Sequence, residues 1–227
     1  MPVSKTDFIR GLQCEKMLWL DAHAPEYKII PPEIQQRLDA GNDFGDKVMG
    51  VFGAFTETTC YREDGRLHFA KMIEKTKELL QKNERVICEG SFSWYGNFCA
   101  ADILKKDGEG YALYEVKNAP IPRNEFIVDL GFQRLILKKC GVKITTSSLI
   151  LHDEQGGQVC GEYVKFEDLS LLIVDVTKQA KVFEREAEKR IFELGKIKKK
   201  DAPMPDIPVG EHCEKPYACW YREFCKK

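Results

Sequence analysis

No apolar run in this sequence approaches the ~18 residues of a membrane-spanning helix. Its opening, MPVSKTDFIRG, lacks the basic region and apolar stretch of a secretory signal. Both absences argue against insertion and export, and a cytoplasmic protein is the default expectation. An excess of charge of one sign is missing too: 35 Lys and Arg face 36 Asp and Glu, a net charge of −1. That balance gives no global attraction to nucleic acid, so any polyanion must be held by a local basic surface. Lys196-Ile197-Lys198-Lys199-Lys200 is a candidate for one, although a lysine run closing a long helix is also simply a favourable helix terminus facing water. Internal repeats and low-complexity tracts are absent, which argues against a repeat architecture or extensive disorder. With 43% hydrophobic and 31% charged residues, the 227-residue chain has the composition of a globular protein with one substantial core.

Cysteine, by contrast, is plentiful. Nine cysteines without a secretory signal argue for buried thiols or metal ligands rather than disulfides. Cys60, Cys88, Cys99, Cys140 and Cys160 are scattered, mostly in apolar segments, and read as small core residues. Cys213, Cys219 and Cys225 are evenly spaced in EHCEKPYACWYREFC, after the Pro-rich stretch 202–208, and Cys14 lies near the other end. Four thiolates suit an iron–sulfur cluster or a structural zinc, with His212 able to replace one in a zinc site. Reduced cysteines in a frayed tail are the plainer reading, and the aromatic residues among them fit it poorly.

The hydrophobic pattern predicts one domain, with an N-terminal helical segment 1–83, a core 84–200 and a C-terminal cysteine segment 201–227. Ser4 reads as the cap of a first helix leading to Cys14. A second helical stretch runs from Pro31-Pro32 to Phe52, where Gly41 and Gly45 are expected to allow close helix packing. A third helix is predicted over 67–82. Strands are predicted over 85–94, 97–105 and 110–118, then a helix over 124–139. The segments 145–152 and 158–165 read as a hairpin around Gly156-Gly157, and 168–196 as one long helix.

The stretch from Cys99 to Ala119 carries the candidate chemistry. Glu115 and Lys117, two apart, share one face of a strand, and Val116 faces the other way. The polar, Gly-containing turn 105–110 folds the neighbouring strand back, so that Asp102 joins them. Phosphodiester cleavage needs a hard cation to neutralise developing charge and acidify a water, and carboxylate oxygens suit Mg²⁺ or Mn²⁺. A lysine beside them orients the water or stabilises the transition state. Glu115 and Lys117 are otherwise a solvated strand face, with Asp102 incidental.

Together these segments resemble the RecB-family PD-(D/E)XK nucleases of the iron–sulfur-containing branch, including the CRISPR-associated RecB-like exonucleases. SKTDFIRGLQCEKMLWL is similar to the entry segment of related bacterial proteins, with Cys14 at the first cluster ligand. Asp102 falls at the motif II aspartate and Glu115-Val116-Lys117 at the ExK motif, while the segment from Asp129 through Gln133 to Leu137 resembles the QxxxY motif. Leu137 stands where that motif has tyrosine, and Asn42-Asp43-Phe44-Gly45 where the family often has a histidine ligand in HxxG. Asn42, Asp43 or Asp46 are then candidates to orient a water at the metal. The resemblance implies an α/β (α+β) restriction-endonuclease-like core, a mixed sheet flanked by helices, with a 4Fe-4S cluster held by Cys14, Cys213, Cys219 and Cys225 stapling the two ends. It also implies a Mg²⁺- or Mn²⁺-dependent deoxyribonuclease acting on DNA single strands or ends, in which Asp102, Glu115 and the Val116 carbonyl hold metal and Lys117 and Gln133 assist. Protein partners in CRISPR adaptation or repair follow from the same resemblance. A catalytically inactive DNA-binding or assembly subunit is the alternative, favoured by the missing histidine.

Overall fold

The computed structural model describes residues 1–153 and 159–226. Helix α1 (Lys5–Gln13) begins at a reciprocal cap: the Ser4 hydroxyl accepts from the Asp7 amide at 3.1 Å, and the Asp7 carboxylate accepts from the Ser4 amide at 2.9 Å. It is followed by α2 (Glu15–His23), α3 (Pro32–Val48) and α4 (Phe69–Gln81), with strand β1 (Thr56–Glu57) between the last two. Strands β2 (Val86–Trp94), β3 (Asn97–Asp107) and β4 (Gly110–Lys117) form a meander. Helix α5 (Asn124–Lys139) then crosses to β5 (Ile144–His152), and β6 (Glu162–Phe166), β7 (Leu169–Asp175), α6 (Thr177–Ile197) and the short α7 (Arg222–Cys225) complete the chain.

The fold is α/β. A seven-stranded mixed sheet, in the order β1-β2-β3-β4-β5-β7-β6, is flanked by helices. Strand β4 pairs parallel with β5, as a helical crossover between them requires, and β2, β3 and β4 pair antiparallel. On one face, α1, α5 and α6 bury Phe8, Phe132, Leu135 and Ile191 against Ile87, Leu104, Leu113 and Leu149. On the other, Phe44, Val48 and Met49 cover Val86, Ile103, Ile150 and Leu171. The close approach of α5 and α6 depends on Gly131, where a Cβ would stand 2.5 Å from that of Phe183.

The α5/α6 contact also encloses an ion pair. Arg134 Nε donates to Glu184 at 3.0 Å and its Nη1 to Ser147 Oγ at 2.8 Å, with both charged side chains less than a tenth exposed. Arg134→Met strands Glu184 with only the largely exposed Lys138 at 2.8 Å. It is expected to lower unfolding free energy by about 3 kcal/mol in urea titrations. Pairing that change with Glu184→Leu should recover most of the loss, because the unpaired buried charge is removed.

Several expectations need correction. Strand β5 pairs with β7, and β7 with β6, so 145–152 and 158–165 are not a hairpin; Gly156 and Gly157 lie outside the described residues. The segment expected as one helix from residue 168 contains β7 before α6. Its run Leu171-Leu172-Ile173-Val174 is a strand packed between two others, whose unbroken apolarity carries no period to tell it from a buried helix. Of the scattered cysteines, Cys88 and Cys99 are buried, but Cys140 and Cys160 are exposed and Cys60 is half-buried. A Cβ at Gly41 or Gly45 would meet nothing within 4 Å, whereas Gly131 in α5 and Gly11 in α1, where a Cβ would stand 2.8 Å from Leu194, are the helical glycines that pack closely on α6. Among the described residues, no helix is long and apolar enough to cross a membrane.

Candidate active site

Strands β3 and β4 bring the three sequence-derived residues together. Ile103 pairs with Tyr114, which sets Asp102 and Glu115 opposite one another a step further along. The Val116 amide donates to Asp102 Oδ2 at 2.7 Å, fixing that carboxylate at the strand end. Glu115 points beneath α5 and is 1% exposed. There Lys117 Nζ reaches Glu115 Oε1 at 2.7 Å and Asp129 Oδ2 at 2.9 Å. Gln133, one turn after Asp129 on the same helix face, donates from Nε2 to Glu115 Oε2. All four expected site residues, Asp102, Glu115, Lys117 and Gln133, therefore converge.

Three further residues join them. Lys5, at the start of α1, places Nζ 3.0 Å from Glu115 Oε1, 3.3 Å from Oε2 and 3.9 Å from Asp102 Oδ1. Its sequence neighbours read only as a helix cap, and nothing local tells which way a lysine at the first helical position reaches. Asp129 escaped attention because a carboxylate on a helix is ordinarily a solvated one. Glu89 sits in β2 between Cys88 and Gly90, which pair with Ile103 and Ala101, so it lies opposite Asp102. Its φ of 56° is left-handed, an uncommon state for a residue with a Cβ. The side-chain alternation slips there: Ile87 and Phe92, five residues apart, enter the same core.

Burial works against the charge of Glu115, but Lys117 and Lys5 hold its carboxyl down to about 2. Burial and then the Glu115 charge push Asp102 up to about 6, with Lys5 and Lys117 opposing. Burial and the charge of Asp102 push Glu89 up to about 8. Because Glu89 binds its proton more tightly in the folded than in the unfolded chain, its contribution is fully present below the ordinary carboxylate range and is lost as pH rises to about 8. Glu89→Gln is accordingly expected to raise the melting temperature in EDTA at pH 8 and to leave it unchanged at pH 4, as followed by circular dichroism.

The donor set fits a hard divalent cation. Two carboxylates converge, and the Gln133 side-chain oxygen is fully buried and, among the described residues, has no hydrogen-bond partner. Asn42, Asp43 and Asp46 lie exposed on α3, and the structure brings none of them into the cluster; Phe44 between them is buried against the sheet. Leu137 is fully buried in the core.

The four cysteines singled out from sequence also meet. Cys14, Cys213, Cys219 and Cys225 line one small cavity with Met17, Leu20, His212 and Tyr221. Burial pushes the Cys219 thiol up to about 11, and those of Cys14 and Cys225 upward as well. The C-terminal segment is tied to α1 and α2 around this cavity: Gln13 Nε2 donates to the carbonyls of His212 and Tyr217, both at 2.7 Å, and the Tyr221 hydroxyl donates to Asp21 at 2.8 Å. Arg10 lies 4.2 Å over the Trp220 ring. As placed, no three or more His, Cys, Asp or Glu side chains among the described residues are gathered tightly enough to cage a metal. The fit to a metal centre rests on the donors, four soft thiols lining one small cavity.

A scan against protein-family models finds no match to this chain, and a search of curated proteins finds none either.

Proposed function

We propose that this chain is a Mg²⁺- or Mn²⁺-dependent DNA nuclease of the RecB-like PD-(D/E)XK type, acting on single strands or ends, with a structural 4Fe-4S cluster. The observation that carries this reading is the convergence of Asp102, Glu115 and Lys117 from adjacent antiparallel strands beneath Gln133 of the crossing helix. Chemistry and topology agree at one place, and that agreement is more specific than either alone.

Asp102 and Glu115 would hold the cation, and the Val116 carbonyl would add an oxygen. Once bound, the cation neutralises the phosphate and lowers the pKa of a water. Lys117, fixed by Asp129, presents its ammonium toward the attacking water and the charge that develops on phosphate. Gln133 restrains the buried carboxylate of Glu115, so that its oxygens do not rotate when the lysine contact changes. Cys14, Cys213, Cys219 and Cys225, which line one cavity, would bind the cluster, and it would tether the C-terminal segment to α1 and α2.

A cleavage assay tests the whole reading. End-labelled single- and double-stranded DNA should be degraded by anaerobically purified protein with Mn²⁺ or Mg²⁺, but not with EDTA. Absence of products from folded, iron-loaded protein favours a DNA-binding or assembly subunit, for which one observation speaks: Lys5 and Lys117 already neutralise Glu115. Partners in CRISPR adaptation or repair fit either version.

A further inference from the structure

The two lysines of the site are not equivalent. Lys117 is held between Glu115 and Asp129 and keeps the second of these partners whatever happens to the first. Among the described residues, Lys5 is bound only to the proposed cation ligands: its ammonium forks across both oxygens of Glu115, at 3.0 and 3.3 Å, and stands 3.9 Å from Asp102. A hard divalent ion held by those carboxylates would need the same space, and two cations do not share it. The Lys5 side chain is 25% exposed, which gives it a way out. Its backbone has none: the Ser4 cap fixes the start of α1, and Phe8 packs on Phe132 with ring centroids 5.0 Å apart. A flexible four-carbon stem on a fixed helix end is suited to exchange between two positions.

We propose that Lys5 is a tethered cation that fills the seat between Glu115 and Asp102 in the ion-free protein, and that a divalent ion enters by displacing its ammonium. The inference rests on the nuclease reading and adds to it a residue that sets metal affinity. Lys5 keeps the two carboxylates from repelling one another before the ion arrives. After exchange, the ammonium remains tethered at the mouth of the site, where it faces the incoming phosphodiester.

Binding of Mn²⁺ alone to the full, cluster-loaded chain, followed by calorimetry and electron paramagnetic resonance, tests this without cleavage. Lys5→Met should bind Mn²⁺ about ten-fold or more tightly than the unaltered protein, since competitor and like-charge repulsion vanish together. Mn²⁺ should also raise its melting temperature by more. Lys5→Gln, which can still donate to Glu115, provides a second neutral variant should Lys5→Met fold poorly, and the same tightening is expected. Equal affinities for the unaltered protein and the neutral variants, with binding abolished in Glu115→Gln, would overturn the displacement while leaving the metal site intact. Absence of Mn²⁺ binding in every form would remove the metal reading and this inference with it.

Discussion

Lys117→Met is expected to reduce Mn²⁺-dependent DNA cleavage by about 10³-fold in single-turnover assays, with DNA affinity measured in Ca²⁺ nearly unchanged. Methionine preserves the length and packing of the side chain but removes the ammonium. Its Nζ is the atom that joins Glu115, at 2.7 Å, to Asp129, at 2.9 Å. The loss therefore has a structural component as well. Lys5 remains beside Glu115, whereas Asp129, 7% exposed, loses its lysine partner. An uncompensated carboxylate at this depth is expected to cost about 2–3 kcal/mol. Asp129→Asn in the same chain should restore stability without restoring turnover, because it removes the stranded charge but supplies no ammonium. Turnover retained in Lys117→Met would count against Lys117 as the group that faces the water, and rescue of turnover by Asp129→Asn would show that the defect was structural.

The site was legible in sequence to the extent that it is local. Glu115 and Lys117 are two apart on one strand, Asp102 comes from the next, and a tight turn at residues 108–109 fixes their register, so strand periodicity alone brings three of the residues together. Gln133 was reached only through a resemblance, since a glutamine inside an apolar helix carries no signal of what it faces. Lys5 lies 110 positions from Glu115, and the long-range packing of α1 onto α5 through Phe8 and Phe132, with the bridge from Ser4 to Phe98 in β3, makes them neighbours. Glu89 was hidden for another reason. Ordinary alternation gives no warning of a strand residue with φ 56°, and the slip it creates moves Glu89 to a position that a regular strand would assign differently. The sheet shows the same division. The meander β2-β3-β4 and helix α5 follow from contiguous patterns, whereas the insertion of β7 between β5 and β6 depends on long-range pairing that no local signal encodes.

Cys219→Ala is expected to lower iron content and thermal stability together: from about four iron atoms per chain to less than one, with a fall of about 10 °C in melting temperature. Besides the cysteine cavity, the segment after α6 is held by single hydrogen bonds and ring contacts, among them His23 Nε2 with the Lys199 carbonyl at 2.9 Å and Tyr27 on Phe224 with centroids 4.9 Å apart. Beyond the Gln13, Arg10 and Asp21 contacts, Trp19 Nε1 donates to the Ala202 carbonyl at 2.8 Å, and the Ile29 amide donates to the Trp220 carbonyl at 2.9 Å. These are side-chain caps and single backbone bonds over a small apolar patch of Met17, Leu20, Ala24 and Tyr221. Such a patch does not by itself offset the ordering of a Pro-rich strap and the helix pair beneath it. The effect should reach the active site. Cys14 separates α1 from α2, and Lys5 extends from the other end of α1, so loosening that pair loosens the ammonium beside Glu115. Tyr217, between Cys213 and Cys219, lies within electrostatic reach of Lys117 and Asp129. Hydrogen exchange in Cys219→Ala should therefore quicken in α1 and α2 while β3 and β4 keep their protection. Full iron with an unchanged melting temperature would remove the staple, and faster exchange spread evenly over the sheet would mean that the thiol supports the core rather than the termini.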